Sequence, residues 1–151
     1  MAATDHLLMC LALERRAYAL LCRWEMSSCA RDPHFDLLGR LADECDRYRH
    51  WLRELCLSQR LGIPPQPELR LDSDGAYLTL LTSCLQELIA LLPKLESELT
   101  GMDRQRVSQI RRAAESQLNT VRDLFSEPSA ASQRAPLLQS SAEDRTVSPG
   151  G

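Results

Sequence analysis

Two glutamates stand where leucines belong. In HLLMCLALERRAYALL (6–21), Leu7, Cys10/Leu11, Ala17/Tyr18 and Leu21 recur at helical spacing, and Glu14 lies inside that stripe. In RLADECDRYRHWLREL (40–55), Leu41, Tyr48, Trp51/Leu52 and Leu55 continue a stripe begun by Leu37, and Glu44 fills the slot between Leu41 and Tyr48. Inward carboxylates bind a metal, share a proton or pair with a cation, because an unpaired buried charge costs several kcal/mol. Arg47 follows Glu44 by three residues, within reach on a helix surface. Its guanidinium stays charged and grips a carboxylate with two parallel hydrogen bonds. The expected arrangement is therefore a buried ion cluster of Glu14, Glu44 and Arg47.

Other chemistry is thinly represented. His50 follows Glu44 by six residues, about 240° round a helix, so it belongs at a rim beside Asp46 or Glu54. His6 and His34 read as surface residues near helix starts. The six cysteines, Cys10, Cys22, Cys29, Cys45, Cys56 and Cys84, form no CxxC pair and no zinc-ligand spacing, so free thiols packed as small hydrophobes are expected. There is no glycine-rich phosphate loop and no Ser/His/Asp constellation. Trp24 and Trp51 suit either the junction of the first two helices or a docking patch.

Four helices must position these residues. The first is expected over about residues 5–29, capped by Thr4 or Asp5. The second is expected to start at Pro33, with Asp32 as its cap, and to end near Arg60, with Gly62 as its closing residue. GIPPQPELRLDSDG (62–75) is kept out of helix by its prolines. At about 14 residues it is long enough to run the length of a bundle. The third helix begins near Asp74 or Gly75 and presents Leu78, Leu81, Leu85, Leu88, Leu92, Leu95 and Leu99, with a kink expected at Pro93. Gly101 ends it. The fourth runs to about Phe125 through Val107, Ile110, Ala114, Gln117/Leu118 and Val121. The fold class is thus all-α, an antiparallel four-helix bundle over 1–126 with a long crossover between helices 2 and 3. Residues 127–151 are Ser/Pro/Ala-rich and read as a disordered C-terminal tail.

The segments ALERRAYALL (12–21) and DPHFDLLGRLADECDRYRHWLREL (32–55) resemble the first hairpin of ferritin-like, rubrerythrin-type bundles. RRAAESQLNTVRDLF (111–125) weakly echoes the last helix of that family. The resemblance places Glu14 and Glu44 at two acid ligands and Glu115 at a third, and implies a ferritin-like topology and a di-iron or di-manganese centre. It also puts Arg47 and Leu118 at the ligand histidines, so the expected state of the site is vestigial.

A net charge of −3 and 5% aromatic residues argue against nucleic-acid binding, even though Arg104, Arg106, Arg111, Arg112 and Arg122 make the fourth helix basic. No basic leader and no uncharged span of about 18 apolar residues is evident, so no membrane span and a cytoplasmic location are expected. The expected function is a non-enzymatic bundle acting through a protein partner or as a homo-oligomer, without cofactor. One alternative is a carboxylate-bridged iron or manganese oxidoreductase or iron-handling protein on Glu14, Glu44 and Glu115. A second is a helical adaptor or secretion chaperone that grips a partner through Leu57 and Leu61.

Overall fold

The structure, a computed structural model, describes residues 3–28, 32–69 and 76–134. It is all-helical: α1 Ala3–Ser27, α2 Phe35–Ser58, α3 Ala76–Ser97 and α4 Gly101–Arg134. No strand occurs among the described residues. The chain divides into two compact units, 1–118 and 119–151, so α1, α2, α3 and the first half of α4 belong to the first.

Each helix end has a local cause. Asp32 does not cap α2 directly. Its Oδ1 accepts the His34 N–H at 2.8 Å, closing a turn that carries Pro33 just ahead of the first helical residue. At the other end the helix closes at Arg60, not at the expected Gly62. Arg60 takes φ 58, its N–H donates to the Leu57 carbonyl at 3.0 Å, and the Leu61 N–H reaches back to the Cys56 carbonyl at 3.0 Å. That pair of bonds satisfies carbonyls otherwise left orphaned at a helix end. α1 begins at Ala3, ahead of the expected Thr4 or Asp5 cap. Cys29 and the expected start of α3 at Asp74 or Gly75 lie outside the described residues.

The fourth helix continues past its expected end near Phe125, to Arg134. Ala130, Ala131 and Gln133 are good helix formers, and extending an existing helix adds a hydrogen bond per residue without a new nucleus. Residues 135–151 of the expected tail lie outside the described residues.

The first unit is held together by an apolar core to which every helix contributes. Leu7 and Leu11 of α1, Leu52 and Cys56 of α2, Leu88 and Leu92 of α3, and Val107 and Ile110 of α4 form one buried cluster. α3 has the length and composition of a membrane-crossing helix. Its apolar seam Leu81, Leu85, Leu88, Leu92 and Leu95 is nevertheless the buried seam of this core. Leu78 and Leu99 are half-buried.

Polar and aromatic contacts set which ends meet. Trp24 near the end of α1 stacks on Tyr77 at the start of α3, ring centroids 5.8 Å apart. Cys84 donates to the Leu13 carbonyl at 3.1 Å. His6 Nδ1 lies 2.7 Å from Glu98 Oε1. The expectation of a surface His6 is corrected, since it is buried against that carboxylate. Between α1 and α2, a methyl on Gly39 would stand 2.8 Å from Glu25 Oε2, so only glycine lets that carboxylate lie so close. The connection after α2 runs along α1: Pro64 accepts from Arg15 at 3.0 Å, Gln66 donates to the Arg15 carbonyl at 3.2 Å, and Arg23 reaches the Leu69 carbonyl at 3.5 Å.

Candidate functional site

Glu14 is where its stripe places it, 1% exposed on the inward face of α1. Its surroundings are not the ones expected. Arg47 is exposed, with its guanidinium carbon 5.6 Å over the Tyr48 ring. The anticipated cluster of Glu14, Glu44 and Arg47 is replaced by a different set, and Glu14 Oε1 has no hydrogen-bond partner.

The cause is the rotational phase of α2. Its buried residues are Leu38, Leu41, Ala42, Cys45, Tyr48, Leu52, Leu55 and Cys56. Cys45 occupies the centre of that face, because a free cysteine packs as a small hydrophobe. Successive residues are about 100° apart, so Glu44 falls to the shoulder, half-buried. Arg47 lies about 160° from Cys45 on the opposite side. Reading the stripe through Leu37 and Trp51, both only half-buried, rotates it toward Glu44. The buried cysteines were the signal that could have corrected the phase.

What surrounds Glu14 is a polar chain of Cys45, Gln117 and Glu44 from α2 and α4. Cys45 hydrogen-bonds with the Glu14 side chain. Cys45 Sγ is also 3.7 Å from Gln117 Oε1, as donor. Gln117, buried on α4, donates from Nε2 to Glu44 Oε1 at 2.9 Å. A thiol has a single hydrogen. That one hydrogen serves Glu14 or Gln117, not both at once. Burial pushes the Glu14 carboxyl up to about 8 from an ordinary 4.5; hydrogen bonding to Cys45 works against this and the Glu44 charge adds to it. Glu14 is therefore held as the neutral acid at pH 7, and a proton does the work assigned to Arg47.

The thiols near this centre are not nucleophiles. Burial pushes Cys45 well above its ordinary value and, with help from Glu14, takes Cys10 and Cys84 up to about 12. A thiolate is the reactive form, so none of the three attacks an electrophile at neutral pH.

The residues also do not fit a two-metal carboxylate centre. Leu118, at one of the family's histidine positions, is a buried apolar side chain, and Arg47, at the other, is exposed. Glu115 is exposed and pairs with Arg111 at 3.3 Å. The amide N–H of Gln117 already occupies a Glu44 oxygen and would repel a cation there. Among the described residues no group of three or more His, Cys, Asp or Glu converges as metal ligands. His50 is an exposed rim residue 3.6 Å from Asp46.

A second feature is a groove of about 190 Å³ between α2 and α4, floored by Trp51, Leu55, Val107 and Ile110. Arg106 lies 5.4 Å over the Trp51 ring and 3.9 Å from Glu54. Met102, next to the groove residue Asp103, is 65% exposed. Trp51 thus lines a surface depression, while Trp24 packs between α1 and α3. Leu57 is exposed, whereas Leu61 packs against the core.

Comparison with protein-family models, with curated proteins and with solved structures returns no match.

Proposed function

We propose that this chain is a non-enzymatic helical-bundle protein that works through protein contact, in the first instance with a second copy of itself, and that it keeps a vestigial ferritin-like metal position. The end-to-end pairings of α1 with α2 and of α1 with α3 support an antiparallel bundle. On this reading α2 and α3 run parallel and the long connection after α2 serves as a crossover, as in ferritin-like topology.

The α2/α4 groove carries the contact reading. Its apolar floor is rimmed by Glu54, Asp103 and Arg106. Both signs on one face make the patch self-complementary in a two-fold contact, with Arg106 of one copy meeting Asp103 or Glu54 of the other. Sedimentation velocity at tens of micromolar is expected to give twice the 17.0 kDa of the chain. Met102→Asp, at an exposed position, should return it to a monomer without loss of helicity. A monomeric native protein, or a dimer indifferent to Met102→Asp, overturns this reading.

One observation favours the iron or manganese alternative: the buried, unpartnered Oε1 of Glu14. Protein purified from iron- and manganese-supplemented growth is expected to carry far less than one metal per chain. Stoichiometric metal that disappears on Glu14→Ala would establish the alternative instead.

A further inference from the structure

Arg15 of α1 and Arg49 and Arg53 of α2 line a pocket of about 110 Å³ together with Leu11 and Ile63. We propose that this pocket binds a phosphoryl group, as inorganic phosphate or a phosphate monoester. It shares no residue with the α2/α4 groove and does not depend on the dimer.

Two of the three guanidinium groups are held in place before any ligand arrives. Arg15 donates from Nη1 to the Pro64 carbonyl, and Gln66 donates back to the Arg15 carbonyl. These bonds tie the connection after α2 to α1 in the stretch that supplies Ile63. Arg49 donates from Nε to Asp46 Oδ1 at 2.7 Å, and its guanidinium carbon sits 4.5 Å over the Tyr18 ring. Arg53 is exposed and follows Arg49 by one helical turn.

The three guanidinium charges repel one another without a ligand. Like charges four residues apart on a helix repel, and Arg15 adds a third from the neighbouring helix. Asp46 offsets one of the three, and no lining residue is acidic. A phosphoryl group carries about two negative charges at neutral pH, matching the two that remain. Guanidinium forks suit its oxygens geometrically, and the apolar Leu11 and Ile63 weaken the screening between the charges. This basic pocket stands on a chain whose net charge is −3, so a global field does not explain it.

The full chain titrated calorimetrically with inorganic phosphate and with phenyl phosphate, at ionic strength held constant with chloride, tests the site. Saturable binding is expected, tightening between pH 6 and 8 as the phosphoryl group acquires its second charge. Arg53→Gln, at an exposed position, should weaken it about tenfold or more, and Arg15→Gln similarly, with circular dichroism unchanged. Arg112→Gln on α4 should leave it intact. Tighter phenyl phosphate places an ester substituent against Leu11 and Ile63, whereas equal affinities mean that the phosphoryl group alone is read. Heat no larger than the chloride control, or equal losses in Arg53→Gln and Arg112→Gln, overturns the proposal.

Discussion

Urea unfolding of the native chain is expected to show stability falling steadily from pH 5 to pH 8, and Glu14→Gln is expected to abolish that fall. In the unfolded chain Glu14 releases its proton near its ordinary 4.5, whereas the folded chain holds it up to about 8. Below the lower value both states carry the proton and pH has no effect through this group. Between the two values only the folded state is protonated, so each rise in pH favours unfolding. The stabilisation is fully present below about 4.5 and is lost as pH rises through about 8.

A shift of one pKa unit is worth about 1.4 kcal/mol, so the loss across the window is on the order of 4 kcal/mol. With a urea slope of about 1–3 kcal/mol per molar, the midpoint should move by roughly 2 M. The groups facing Glu14 are Cys10 on its own helix, Glu44 and Cys45 on α2, and Cys84 on α3. The three thiols stay protonated throughout the window. Gln117 is neutral at every pH. Glutamine keeps the shape of Glu14 but cannot ionise, so its profile should be flat by comparison. Parallel native and Glu14→Gln profiles would mean that the carboxyl is already ionised in the fold, with a cation beside it.

Leu88→Ala is expected to destabilise the chain by about 3 kcal/mol, within the range for a fully buried leucine. Leu88 is completely buried in the cluster where side chains of all four helices meet. Truncation leaves a void that close-packed neighbours fill only in part. Arg47→Leu makes the informative contrast. In a buried ion cluster, losing the guanidinium would strand two carboxylates and cost about 3–5 kcal/mol. On the exposed side of α2 the change should stay within about 0.5 kcal/mol. Chemical unfolding of both variants at pH 6 measures the two effects. A large loss in Arg47→Leu, or a small one in Leu88→Ala, would contradict the packing described.

Much of the architecture is legible in the residues themselves. Apolar residues three and four apart specify inward faces, so four helices follow from α1's Leu7 and Leu21, α2's Leu41 to Leu55, α3's Leu81 to Leu95 and α4's Val107 to Val121. The prolines after Gly62 bar helix, whatever the tertiary context. The inward position of Glu14 was equally readable, since flanking apolar positions on both sides leave it nowhere else to go.

What neutralises Glu14 was not readable. Helical periodicity sets a face only to within tens of degrees, and on α2 that margin separates Cys45 from Glu44 and sends Arg47 to water. The Gln117 bridge and the three-arginine pocket join residues on different helices, so they depend on how the helices dock. A buried carboxyl can be satisfied by a proton as well as by a guanidinium. The sequence determined that an acid would be enclosed; only the tertiary structure, by excluding water and setting the Glu44 charge nearby, decided that it keeps its hydrogen.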